Sequence, residues 1–249
     1  MSSTPQNPPD LASRPAVVVG GNSGIGLEVV RRAAGTGASV TVVDLPERPS
    51  AGLAALGGRV RYLRGDVLDP GGLEKCFTTA AEDGPVGSVF VSAGVTLPGS
   101  LLDVSAEAAQ RCLLINLMGS VNTLKAAVGS LASDASVVLC ASVAAYTGGG
   151  YVGGSVYGAS KAGVIGLARG AARELAGRGV RVNCVAPGAT TTGMVGDDPA
   201  VIERLSAKTL LDRLATPADI AASVLFLWSS AASYLTGATI DVNGGSHLG

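Results

Sequence analysis

The stretch Ala16-Val17-Val18-Val19-Gly20-Gly21-Asn22-Ser23-Gly24-Ile25-Gly26 (AVVVGGNSGIG) decides the architecture. Four apolar residues run straight into a glycine turn, and a helix is predicted over Ile25–Thr36. A short strand with no polar alternation is what burial on both faces produces, and parallel sheets covered by helices are built from such strands. Glycines in the turn clear side chains from the path of the backbone. They also leave N–H groups at the start of the helix open to an anion, the arrangement a dinucleotide pyrophosphate needs. The spacing is GxxxGxG rather than the general GxGxxG. In a chain with 36 glycines, a plain strand-to-helix turn gives the same string, so the reading needs support from elsewhere.

The rest of the chain repeats the unit. Further apolar runs are SVTVVD (39–44), RVRYL (59–63), GSVFVS (87–92), SVVLCAS (136–142), VRVNCVA (180–186) and ATIDV (238–242). Helix-compatible segments lie between them at Gly71–Glu82, Ala106–Ala132, Val156–Gly177 and Pro217–Ser229. Alternation of this kind predicts an α/β fold: a doubly wound Rossmann domain with about seven parallel strands and helices on both faces. No composition shift interrupts residues 14–249, which read as one domain. Residues 1–13 read as a flexible polar tail.

Composition excludes several classes. The 249 residues are 47% hydrophobic and 15% charged, enough for a large core. A net charge of −1 with no basic block argues against nucleic acid or an anionic membrane as partner. Cys76, Cys112, Cys140 and Cys184 are scattered without a CxxC, so no metal site is expected. The single histidine, His247, reads as a solvated terminal side chain. No signal peptide or membrane span is visible, and a cytoplasmic protein is expected.

Asp44 ends the second strand, eighteen residues after Gly26. In a doubly wound sheet an acidic residue there accepts hydrogen bonds from the adenosine ribose hydroxyls. A 2′-phosphate would lie against that carboxylate, and unit charges ~4 Å apart repel by roughly 4 kcal/mol at an effective dielectric of ~20. Leu45 and Pro46 supply no compensating cation, although Arg48 is near. NAD is therefore expected in preference to NADP. A turn-forming acid after a strand is the plainer reading of Asp44.

YGASK (157–161) places Tyr157 and Lys161 one helical turn apart, on one face. An ammonium beside a phenol favours its ionised form, which lets it exchange protons near neutral pH. The chain has fourteen arginines and four lysines, yet uses lysine here. A compact ammonium serves a phenol and ribose hydroxyls where a guanidinium is too bulky. Ser142 ends the fifth strand, at the sheet edge where ligands of such folds bind.

With these residues in place, the chain resembles the short-chain dehydrogenases/reductases. The matching pieces are GGNSGIG, Asp66-Val67, Asn116 in INLMG, Ser142, YGASK, VAPGATTT (185–192) and YLTGATIDVNGG (234–245), in the family's order. The resemblance implies that Tyr157 is the catalytic acid/base and that Ser142 polarises the substrate oxygen. Lys161 would lower the tyrosine pKa and hold the nicotinamide ribose hydroxyls, and Asn116 would help to hold a water that connects Lys161 to solvent as a proton relay. It also implies a cofactor site of Gly20, Asn22, Ser23, Gly24, Ile25, Gly26, Asp44, Asp66, Val67, Ala93, Gly94, Tyr157, Lys161, Pro187, Gly188, Thr190 and Thr192.

Two departures stand out. Val19 and Ser92 replace the family's usual Thr and Asn, which bears on sheet contacts more than on chemistry. The interval from Ser142 to Tyr157 is about two residues longer than is common, and its glycine run would absorb the difference. Tyr151, in that interval, is read either as a substrate-pocket side chain or as part of a mobile loop.

The family's pocket segments here are VTLPGSLL, VAAYTGGGYVGG and ATTTGMVGDD, without Lys or Arg. A neutral secondary alcohol or ketone is expected, since an anionic substrate wants a cationic clamp. The alternatives are a non-catalytic NAD-binding regulator or scaffold and an NADP-dependent ketoreductase. An epimerase or dehydratase on a related fold is a further one. Gly158, Gly163, Gly166 and Gly170 each weaken the helix that carries them by ~1 kcal/mol, a cost offset by close backbone packing. In the family that helix forms a subunit interface, so a homotetramer is expected.

Overall fold

A computed structural model describes residues 13–149 and 153–249. Its centre is a seven-stranded parallel sheet in the order β3-β2-β1-β4-β5-β6-β7. The strands are β1 (Ala16–Val19), β2 (Val40–Asp44), β3 (Val60–Arg64), β4 (Val86–Val91), β5 (Leu131–Cys140), β6 (Arg181–Pro187) and β7 (Thr239–Val242). The helices are α1 (Gly24–Gly35), α2 (Ala51–Ala54), α3 (Pro70–Ala80), α4 (Ala106–Leu113), α5 (Gly119–Val128), α6 (Ala144–Thr147), α7 (Ser155–Leu175), α8 (Pro199–Ser206) and α9 (Pro217–Trp228). Strand order reverses direction at β1, so the carboxyl ends of β1 and β4 open a crevice between outgoing connections.

The apolar strand runs behave as expected. Successive residues of a strand face opposite sides, so Val17 and Val19 enter one core and Val18 the other. The first core packs α3, α5 and α7 on the sheet through Leu73, Phe77, Leu124 and Val164. The second packs α1 and α9 through Val29, Val30, Ile220 and Leu227. Val19 is only 1% exposed, in the apolar setting expected for it.

One long helix expected over Ala106–Ala132 is instead three pieces. A π-helical turn, Leu114–Met118, separates α4 from α5, and the chain is already in β5 at Leu131. The π turn has Asn116 at its centre, and hydrogen bonds made by that residue elsewhere account for it. Helices α2, α6 and α8 are too short to show a period. For α8 the signal was nonetheless present: Asp198 caps the helix through Ala200 N–H and Pro199 opens it.

Candidate active site

The carboxyl ends of the strands border a cleft of about 1010 Å³. That volume is at the upper end for small-molecule pockets, enough for a dinucleotide with a second ligand. At one side the β1–α1 turn forms its floor. Gly20 has φ +83°, and a Cβ there would overlap the Ala93 main chain. Gly26 leaves room for the Gly20 carbonyl, so the first turn of α1 sits tight against the strand end. Ser23 caps α1 in an extended conformation, but its hydroxyl makes no cap bond. The helix therefore presents open amides and a free hydroxyl to the cleft, a cradle that fits a pyrophosphate.

Asp44 ends β2 and lines the cleft. Its carboxylate accepts the Asn22 N–H at 2.9 Å and the Leu45 N–H at 2.8 Å. Nearby Arg64 is engaged with Glu47 at 3.0 Å, and neither Arg64 nor Arg48 lines the cleft. Asp66 and Val67 line the same end, and Asn122 fixes the Val67 carbonyl at 2.9 Å.

Ser142, Tyr157 and Lys161 all line the cleft. The Ser142 hydroxyl accepts the Ala144 N–H at 3.1 Å, at the start of α6. Lys161 is 5% exposed, and its Nζ donates to the Cys140 carbonyl at 2.8 Å while standing 5.9 Å from the Tyr157 ring centroid. Gly158 lets the first turn of α7 touch α6, because a Cβ there would meet the Ala144 carbonyl at 2.8 Å. Tyr157 is thus mounted on a helix in backbone contact with α6, the helix that follows Ser142.

Most expected cofactor residues line the cleft: Gly20, Ser23, Gly24, Ile25, Asp44, Asp66, Val67, Ala93, Gly94, Pro187, Gly188, Thr190 and Thr192. Asn22, Gly26 and Asn116 do not. Asn22 ties the glycine turn to the segment after β2, accepting the Ser50 N–H at 2.6 Å and donating to the Arg48 carbonyl at 3.3 Å. Asn116 is fully buried behind the cleft. Its Oδ1 accepts the Val95 N–H at 2.8 Å, and its Nδ2 donates to the Val95 carbonyl at 3.0 Å and to Ser160 Oγ at 2.9 Å. Its side chain is fully occupied in holding the β4 loop to α7, and its carbonyl accepts the Ser120 hydroxyl at 2.7 Å. Tyr151 lies outside the described residues.

Several lining residues carry no motif. Cys140 matters through its carbonyl, and burial raises its thiol above the ordinary range. Arg111 and Ile115 come from α4 and the π turn, and Lys208 and Ser246 from beyond the three segments taken as pocket walls. The cleft therefore does contain cations that the wall segments lack. His247 is not simply solvated: its ring stacks on Tyr146 at 4.9 Å and 11°. Among the described residues, no cluster of acidic, His or Cys side chains suits a metal, and no helix is long and apolar enough to cross a membrane.

Residues 19–247 match the family model described as enoyl-(acyl carrier protein) reductase. The chain is similar to 3-oxoacyl-(acyl-carrier-protein) reductase MabA of Mycobacterium tuberculosis, 35% identical over 97% of this chain and 96% of that one. Among solved structures, a short-chain dehydrogenase/reductase described as glucose/ribitol dehydrogenase, from Brucella melitensis, superposes with TM-score 0.89 at 34% identity. It covers 95% of this chain and 97% of its own. A metagenomic blue fluorescent protein in complex with NADPH superposes with TM-score 0.88 at 30% identity, covering 96% of this chain and 100% of its own.

Proposed function

The chain belongs to the short-chain dehydrogenase/reductase family, and from that premise we propose that it interconverts a secondary alcohol and a ketone with NAD(H). The observation that carries this reading is that Ser142, Tyr157 and Lys161 line the same cleft as the open glycine cradle of the β1–α1 turn. When bound, the nicotinamide supplies hydride transfer to or from the substrate carbon.

The chain's own residues handle the proton and the geometry. In the reductive direction, the Tyr157 hydroxyl donates its proton to the ketone oxygen, and in the oxidative direction it takes the alcohol proton. The Ser142 hydroxyl, with Ala144 N–H already satisfying one lone pair, donates to the same oxygen. The Lys161 ammonium stands 5.9 Å from the Tyr157 ring centroid, and its bond to Cys140 fixes where the charge sits. Its remaining hydrogens are available to ribose hydroxyls. Asn116 acts here as a positioning residue, through Val95 and Ser160.

NAD is the preferred cofactor in this reading because Asp44 is clamped by two main-chain amides and neither Arg48 nor Arg64, the arginines nearest it in the chain and sheet, lines the cleft. NADP is the second reading, favoured by the NADPH-bound neighbour. Comparing kcat/KM for the two cofactors separates them, and equal or better use of NADP overturns the NAD assignment. The reacting end of the substrate is neutral. A homotetramer remains part of the proposal: among the described residues a Cβ at Gly166 or Gly170 of α7 would meet no atom of a neighbouring segment within 4 Å, and Leu114 and Met118 are exposed. Turnover by Tyr157→Phe equal to wild type, with NADH binding retained, would refute the catalytic assignment.

A further inference from the structure

The two ends of the cleft differ in charge. Its acids, Asp44 and Asp66, follow β2 and β3 on one side of the sheet. The opposite side, beyond β6 and β7, carries Lys208 and Ser246. Strands lie about 4.8 Å apart, so β2 and β7, five steps distant, are separated by roughly 24 Å. A dinucleotide held from Asp44 to Lys161 leaves the β7 side to another ligand.

Lys208 follows α8 and is exposed. Among the described residues it makes no ion pair, whereas Lys161, the other lysine of the cleft, is committed to the Cys140 carbonyl. Beside it, the Thr209 hydroxyl is spent on the Ser206 and Arg213 carbonyls. Ser246 differs. Its Oγ is buried and has no hydrogen-bond partner, the one side-chain polar atom of which this holds among the described residues. A buried hydroxyl without a partner is costly, and a ligand that supplies the partner removes the cost.

The two residues are held together by their neighbours. Leu211 N–H donates to the Gly244 carbonyl at 3.3 Å, and Gly244 packs on Thr209. Asn243 then fixes the turn that carries Ser246. Its Oδ1 accepts the Gly245 N–H at 2.8 Å, its Nδ2 donates to the His247 carbonyl at 3.2 Å, and its own carbonyl accepts the Ser246 N–H at 3.1 Å. The His247 ring stacked on Tyr146 closes the turn against α6, which begins two residues after Ser142. The turn that carries Ser246 is therefore held by its own hydrogen bonds, and the exposed Lys208 lines the same cleft.

We propose that Lys208 and Ser246 form an anion subsite that receives a carboxylate carried by the substrate at a distance from the carbon that exchanges hydride. An ammonium and one hydroxyl match the two oxygens of a carboxylate, whereas a phosphate dianion demands more donors. The inference rests on the dehydrogenase reading for the identity of the ligand as substrate and refines it from an alcohol or ketone to a hydroxy or oxo acid. It also revises the neutral substrate expected from the three wall segments, because neither residue belongs to them.

The test is equilibrium titration of the enzyme–NADH complex with straight-chain carboxylates of increasing length and with the matching amides. The wild type is expected to bind at least one carboxylate about tenfold more tightly than its amide, the effect of one charge-assisted contact. Lys208→Met is expected to abolish that preference with NADH affinity unchanged, and Ser246→Ala to reduce it about threefold on the same scale. Equal binding of acid and amide, binding of neither, or a preference that survives Lys208→Met overturns the subsite. The readout needs no turnover. Loss of the dehydrogenase reading would show separately, as NADH binding without Tyr157-dependent turnover.

Discussion

Lys161 donates to the Cys140 carbonyl at 2.8 Å, two residues before Ser142 on the same strand end. The bond anchors the ammonium to the strand that carries the serine, and the helix turn between Lys161 and Tyr157 carries the anchor to the phenol. Replacing Tyr157 with Phe is expected to leave NADH binding within about twofold and to lower turnover by about 10²–10⁴-fold, the usual range for a lost acid/base. Lys161→Met is expected to lower turnover and weaken NADH binding together. Fluorescence titration of NADH alongside steady-state rates distinguishes the two.

Asp44 is held by the amides of Asn22 and Leu45 and so cannot swing away from a 2′-phosphate. Asp44→Ala is expected to raise kcat/KM for NADP relative to NAD by at least about tenfold, a part of the roughly 4 kcal/mol Coulomb repulsion. An unchanged cofactor ratio would show that the carboxylate does not set the preference.

Asn116 satisfies both polar groups of Val95. Asn116→Ala orphans them and is expected to cost about 1–3 kcal/mol per unsatisfied group, read as a lower urea midpoint. Ser160→Ala removes only one partner of the same amide and is expected to cost less. A stable Asn116→Ala protein with normal NADH affinity would contradict the positioning role.

The glycines of α7 divide into two kinds. Gly158→Ala is expected to destabilise the protein and lower turnover, because the new methyl group meets the Ala144 carbonyl at 2.8 Å. A Cβ at Gly166 would meet no neighbouring segment within 4 Å among the described residues. In an isolated chain Gly166→Ala should stabilise by ~1 kcal/mol. If that face joins subunits, the same change should shift a tetramer towards smaller species in sedimentation. A wild type that sediments as a monomer at micromolar concentration removes the assembly proposal.

Thr216 and Asp219 cap α9 reciprocally, and Arg213 pairs with Asp219 at 2.8 Å. The Arg213 hydrogen bonds, with the Thr216 N–H second, hold the Asp219 carboxyl well below the usual range. A lowered carboxyl contributes stability above its unfolded value of about 3.9 and loses it as pH falls below. Thr216→Ala is expected to cost about 1 kcal/mol near neutral pH. The stability gap between wild type and Asp219→Asn should narrow as pH falls from 5 towards 3, and a gap independent of pH would exclude the linkage.

The chain's own residues settled the fold because its determinants are local. Val17, Val18 and Val19 had to be buried on both faces, and Gly20 and Gly26 could only serve a turn of that tightness. Tyr157 and Lys161 were legible as a pair because one helix turn brings them together. What local pattern cannot carry is contact between distant segments. Asn116 reads as a site residue, yet only the packed structure shows its amide consumed by Val95 and Ser160. Asn22 likewise serves Ser50, 28 residues away, rather than the cleft wall. Lys208 and Ser246 belong to no motif, and the segments that carry them come together where Leu211 bonds to Gly244. The sequence by itself determined the doubly wound sheet and the pairing of Tyr157 with Lys161, through burial period and helical spacing. The tertiary structure alone decided the charge at the far end of the cleft, because that charge arises where two segments with no shared local pattern pack together.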